Sequence, residues 1–217
     1  MLGMGTYFNV MPVFRQRQPA DKMIQYGVNT EHHAAPGLYV SFLYNHGGSM
    51  LKWYRDTFAI SEHAAALKEQ KTIYPDLIAE IPAHPSRVMV LPHFEQTGPP
   101  HFIADSSGVI AGLKLSTKRG EILKGIMESA LFYIRECLQP LVEMGVPMDS
   151  FRVVGGGSNS DSWVQMAADI LGKPFIRPKT TEAGALGAAI IAGTGVGLFS
   201  SMQEGCEAMS KLDKSFA

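Results

Sequence analysis

Cysteine is nearly absent from this 217-residue chain: Cys137 and Cys206 are its only two. Two cysteines make no disulfide framework, which fits a reducing compartment such as the cytoplasm. Net charge is equally sparse, −1 from 19 basic and 20 acidic side chains. That balance argues against a nucleic-acid partner, which demands a basic face. No apolar run reaches the roughly 18 residues of a membrane span. The N-terminus, MLGMGTYF, has no charged-then-apolar leader, so neither a signal peptide nor a membrane partner is expected. The pair His32-His33 has no cysteine or carboxylate at ligand spacing and reads as an exposed loop pair, not a metal site. Two nucleotide motifs are absent as well. There is no Gly-x-x-x-x-Gly-Lys-Ser/Thr, and the dinucleotide pattern Gly-x-Gly-x-x-Gly fails at Ser160. No acidic residue ends a following strand about 20 residues on; Lys173 to Lys179 is basic instead.

What is present is an ordinary apolar fraction of 46%, enough for a substantial core in one domain spanning residues 1–217. The chain is organised around Phe151-Arg-Val-Val-Gly-Gly-Gly-Ser-Asn-Ser-Asp-Ser-Trp163. Val153 and Val154 suit a short buried strand. Ser158 to Asp161 are helix-capping residues, and Trp163, Val164, Met166, Ala167, Ile170 and Leu171 recur at helical spacing. Strand, glycine turn and helix follow. The turn lets a ligand approach backbone, and the helix start offers free N–H groups and partial positive charge. A tight connection without a ligand gives the same letters.

Strand signals come first along the chain: two pieces within residues 1–14, around a turn at Gly3 to Thr6, then Ile24–Asn29 and Leu38–Tyr44. Residues 15–21 read as loop. Gly47-Gly48-Ser49 opens a helix carrying Met50, Leu51, Trp53, Tyr54 and Phe58, a second glycine-plus-hydroxyl helix start. Ser61 is expected to cap an alanine-rich helix to Gln70, and a short helix over Tyr74–Ile81 stops before Pro82. Val88–Leu91 and Val109–Lys114 read as strands. The long loop between them brings His93, Glu95, Gln96 and His101, either as substrate contacts or as surface decoration. Ser116 or Thr117 is expected to cap a long amphipathic helix ended by Gly145 and Pro147, with Glu128 bonded at its flank. Phe175-Ile176 is a short strand. Thr180 or Thr181 then caps a helix of small residues with Glu182 in its first turn; Gly184 and Gly187 cost it about 1 kcal/mol each and call for a packing reason. Met202–Met209 is the last helix. Early strands followed by alternating strand and helix give an α/β domain, a mixed sheet flanked by helices.

Four pieces, in order, resemble the C-terminal domain of the FGGY carbohydrate kinases: Gly5-Thr6; Gly48 to Asp56; Gly108 to Leu113 continuing through Glu121-Ile122 to Glu128; and Gly155 to Gly172 followed by Glu182 to Ala189. Gly125 departs from the alanine or serine usual in that signature. The resemblance implies a ribonuclease H-like, actin-like ATPase fold with ATP held between two domains. Carried over by position, it implies ATP contacts at Gly5, Thr6 (γ-phosphate), Gly48 (phosphates), Gly156, Gly157 and Ser160 (adenosine side). It also implies transfer of the γ-phosphate to a sugar hydroxyl, a pentulose such as xylulose. The family's catalytic aspartate falls upstream of Met1, so no catalytic residue is expected here. Mg²⁺ and most sugar contacts are expected from a partner N-terminal kinase domain, and the chain alone is expected to be inactive. The competing reading is a non-catalytic nucleotide-binding or interaction module that pairs through the docking face as a homodimer.

Overall fold

A computed structural model describes residues 1–180 and 182–217. Its spine is a six-stranded mixed sheet, ordered β11-β10-β9-β1-β2-β6. Strands β1 (Leu2–Met4) and β2 (Tyr7–Val10) form an antiparallel hairpin in which Met4 faces Phe8. After β3 (Val13–Phe14), helix α1 (Ala20–Gln25), β4 (Glu31–His32) and β5 (Tyr39–Val40), strand β6 (Leu43–His46) joins the outer side of β2. Strands β3, β5 and β4 make a small sheet of their own. Helices α2 (Gly48–Phe58), α3 (Ile60–Lys68) and α4 (Tyr74–Ala79) follow, then the hairpin β7 (Met89–Leu91) and β8 (Val109–Ala111).

Helix α5 (Arg119–Glu143) crosses one face of the sheet. Its apolar residues fall at i, i+3, i+4 and i+7, so Leu123, Ile126, Met127, Ala130, Leu131, Ile134, Cys137 and Leu141 all point inward and none is more than 1% exposed. Strand β9 (Phe151–Val154) lies parallel to β1. A 3₁₀ turn (Gly156–Asn159) leads into α6 (Asp161–Leu171), which packs beside α5; the Trp163 indole N–H donates to the Met127 carbonyl and its ring lies 5.0 Å from that of Phe8. Strand β10 (Phe175–Pro178) is parallel to β9. Helices α7 (Ala183–Gly195) and α8 (Met202–Met209) pack on each other, and β11 (Leu212–Phe216) pairs antiparallel with β10 to close the sheet. None of the described helices is long and apolar enough to cross a membrane.

Several local expectations change. Ile24–Asn29 is not a strand. Pro19 and Asp21 favour a helix start, within α1 only Met23 is buried, Ile24 is 80% exposed, and Gly27 ends the turn at φ 61°. Leu38–Tyr44 divides into β5 and β6, which serve different sheets. Ser61 lies inside the first turn of α3, whose N-cap is Ala59. The long helix is capped one residue later than Thr117: Glu121 accepts the Lys118 N–H at 2.9 Å, while Thr117 Oγ1 accepts from Lys114 in the preceding turn. Glu182, rather than Thr180, is the N-cap of α7; Thr181 lies outside the described residues. Strand β11 is an addition, because Leu212-Asp-Lys-Ser-Phe216 is mostly exposed and carries little apolar signal.

Candidate functional site

Strand direction decides where the glycines meet. The β1–β2 turn, the end of β6 and the end of β9 all fall on one edge of the sheet, because β9 runs parallel to β1 and β6 runs antiparallel to β2. At the turn, Gly5 and Thr6 receive the start of α2 directly. The Gly48 N–H donates to Gly5 O at 3.0 Å, and the Ser49 N–H to Thr6 O at 2.9 Å. A Cβ on Gly48 would stand 2.5 Å from Gly5 O, so only glycine allows this approach. On the other side of β1, Gly155 adopts φ 89°, and a Cβ on Gly157 would lie 3.0 Å from Met4. Gly156 has no neighbour within 4 Å of that position and is exposed, as is Thr6.

The sequence-derived set Gly5, Thr6, Gly48, Gly156, Gly157 and Ser160 is therefore assembled along one open edge, flanked by the beginnings of α2 and α6. The first turn of α2 carries no acidic side chain. The N–H groups of Gly47, Gly48, Ser49 and Met50 are all taken by backbone carbonyls, so what the α2 start offers an anion is the positive end of its dipole. Ser160 is half-buried and caps α6, its Oγ accepting the Trp163 N–H at 3.3 Å. His46 was not singled out by pattern. It precedes Gly47, contacts Ser49 Oγ at 3.1 Å through Nδ1 and lies against the Tyr7 ring, the two tilted by 45° with centroids 4.8 Å apart.

The long loop divides its candidates. Glu95 approaches His46 at 3.8 Å, near the edge. His101 instead pairs with Glu136 on α5 at 2.9 Å, and Tyr133 and Cys137 donate to Pro99 O, so that part of the loop is pinned to the helix. Glu128 makes the expected hydrogen bond and ion pair, but from a buried position and not at the flank: it accepts the Ser86 N–H at 3.2 Å and lies 4.0 Å from Lys124, and burial pushes its carboxyl above the usual range. Gly184 and Gly187 have open space where a side chain would go, so the packing reason expected for them is not found among the described residues.

Arg177, Asp213 and Lys214 escaped the sequence reading, where the segment around Arg177 registered only as basic. The Arg177 guanidinium donates to Asp161 Oδ1 (2.7 Å), Asp213 Oδ2 (2.9 Å) and the Ser158 carbonyl (2.8 Å). Lys214 donates to Asp161 Oδ2 at 2.5 Å, and these hydrogen bonds from Lys214 and Arg177 hold the Asp161 carboxyl below its ordinary range.

A mixed sheet with glycine turns and helix beginnings gathered at one edge is the architecture of the actin-like ATPase domain found in sugar kinases. Solved structures with this fold include the xylulose kinase of Rhodospirillum rubrum (TM-score 0.79, 24% identity, covering 100% of this chain and 42% of that one) and the glycerol kinase of Plasmodium falciparum with ADP (TM-score 0.79, 20% identity, 99% and 42%). Residues 4–196 match the model of the C-terminal domain of the FGGY family of carbohydrate kinases, and the chain belongs to that family. Among curated relatives, the glycerol kinase of Renibacterium salmoninarum is 35% identical over 158 residues, 72% of this chain. The chain spans 30% of that relative's length.

Proposed function

We propose that this chain is the nucleotide-side half of an ATP-dependent sugar kinase that acts in the cytoplasm and transfers the γ-phosphate to a pentulose hydroxyl. One observation carries the reading: Thr6, Gly48 and the Gly155–Gly157 turn share a single open sheet edge. Phosphoryl transfer asks mainly for positioning and for donors aimed at developing charge. The Thr6 hydroxyl supplies such a donor on the phosphate side, the dipole of α2 adds positive potential there, and the bare Cα of Gly156 leaves room for the nucleoside. The reading leaves Mg²⁺, the catalytic carboxylate and most sugar contacts to a partner N-terminal kinase domain. The relatives' greater length supports such a partner. The uncharged α7, with Ile191 at 48% and nearby Val196 and Leu198 at 83% and 72% exposed, offers the face for it.

Calorimetric titration of the 217-residue chain with ADP tests the nucleotide half of this reading. Binding is expected, and Gly156→Leu weakens it by about tenfold without lowering the melting temperature, since a side chain there meets no protein atom. No detectable ADP binding by the unsubstituted chain overturns the reading. The same open α7 face supports a second reading, a non-catalytic module that forms a homodimer. Size-exclusion chromatography separates the two: a stable dimer abolished by Ile191→Asp favours the module.

A further inference from the structure

The four-charge cluster beside the Gly156–Ser160 turn has no part in the chemistry above. We propose that Arg177 is the positioning residue of that turn, fixing it through the Ser158 carbonyl and neutralising Asp161 at its mouth; the inference rests on the nucleotide reading. The Arg177 side chain is 15% exposed and reaches three segments at once: the turn, the first residue of α6, and β11. Backbone pairing already holds β10 to β11, with Phe175 facing Phe216. Two of the guanidinium's three bonds go elsewhere, to the turn and to Asp161. The carbonyls of a 3₁₀ turn's last residues lack partners within the turn, and a cationic donor satisfies one of them strongly. Ser158 is fully buried, and its hydroxyl donates back to Gly155 O at 2.6 Å, so anchoring Ser158 anchors the glycines before it.

Asp161 gives the second half of the argument. A carboxylate in the first turn of α6 suits the helix dipole but repels a polyphosphate brought to the same edge. Arg177 and Lys214 occupy both of its oxygens, while Asp213 balances the second cation, so the cluster sums to zero charge. The Phe216 ring lies under both cations, 5.4 Å from the Arg177 guanidinium carbon and 5.0 Å from Lys214 Nζ. Lysine cannot replace Arg177 fully, because an ammonium has no planar fork for three acceptors.

The test compares Arg177→Met, Arg177→Lys and Asp213→Asn with the unsubstituted chain. ADP and inorganic tripolyphosphate are the two probes, and amide hydrogen exchange at residues 155–160 is read alongside. Arg177→Met is expected to weaken ADP by about tenfold, to weaken tripolyphosphate less, by about threefold, because Lys214 still pairs with Asp161, and to speed exchange at the turn. Arg177→Lys restores part of the ADP affinity, and Asp213→Asn, which spares the Ser158 bond, has the smallest effect. Unchanged ADP affinity in Arg177→Met, even with a lower melting temperature, overturns the proposal, as does equal loss of both probes. If Arg177→Met does not fold, Arg177→Lys decides by the same two readings, because an ammonium cannot hold all three acceptors, and an unchanged turn with unchanged ADP affinity in it overturns the proposal. If the unsubstituted chain binds no ADP, the nucleotide reading falls, and the exchange rates still decide whether Arg177 orders the turn.

Discussion

Helices α5 and α7 both present apolar side chains and interior glycines, yet one is the spine of the core and the other lies largely bare. The stripe on α5 leaves charged residues such as Glu121, Arg135 and Glu143 on its outer side, and eight of its apolar side chains are at most 1% exposed. Helix α7 has no charged residue from Ala183 to Gly195 and is apolar all round, but only Ile190 and Gly193 are buried, against α8 and Phe199. A helix without a polar face is ordinarily surrounded by protein. Composition therefore reports the environment a helix is suited to, whereas periodicity reports which side faces the neighbours present. For α5 the two agree, and for α7 they differ, which is what the proposed N-terminal partner explains.

The comparison breaks most easily on core truncation. Leu131→Ala in α5 removes a fully buried side chain and is expected to cost about 2–5 kcal/mol in urea unfolding. Ile191→Ala in α7, half exposed, is expected to cost about 0.5 kcal/mol or less. Equal losses at the two positions would mean that α7 packs into the fold in solution.

A change of sign sharpens it. Alanine is better than glycine in a helix by about 1 kcal/mol where space allows. In α7 a Cβ at Gly184 or Gly187 meets nothing within 4 Å, so each alanine substitution should stabilise the chain by about 0.5–1 kcal/mol. In α5 a Cβ at Gly120 would collide with the Glu80 carbonyl, and one at Gly125 would sit 2.6 Å from Val88 O. Alanine there should instead destabilise by about 1–3 kcal/mol, since backbone must move. Thermal melts of the four variants check the pattern; stabilisation at Gly125 contradicts the close α5–β7 packing. If α7 docks a partner through its glycines, Gly184→Ala should also weaken that association.

The same contrast sorts what was legible in the sequence. Stripe and glycine turns are written locally, so α5 and α6 follow from residue spacing, whereas the meeting of Gly5, Gly48 and Gly156 was implied only by the family resemblance and is set by strand order. Ile24–Asn29 was misread because a short apolar run fits helix or strand, and that Val28 is buried while Ile24 is bare is a tertiary fact. Strand β11 and the Arg177 cluster were illegible for a different reason. Asp161, Arg177, Asp213 and Lys214 lie far apart along the chain, and only the sheet order β11-β10-β9 brings them together.

The smallest effect expected is a pH dependence that α5 has and α7 lacks. Burial raises the folded-state pKa of Glu128 above the ordinary glutamate value of 4.5, against the opposing influence of the Ser86 N–H, Lys124 and His84. A raised carboxyl favours the folded state fully below the unfolded pKa and loses that contribution as pH rises through the folded value. Glutamine imitates the protonated acid at every pH. The stability of the unsubstituted chain relative to Glu128→Gln should thus be constant below pH 4.5 and decline above it. Residues 183–195 contain no titratable side chain, so the stability difference produced by Ile191→Ala should hold constant over the same range. Urea melts of both variants from acidic to neutral pH measure this. A Glu128→Gln difference that rises with pH would mean that the Ser86 and Lys124 contacts outweigh burial, and that Glu128 sits in α5 as a stabilising carboxylate.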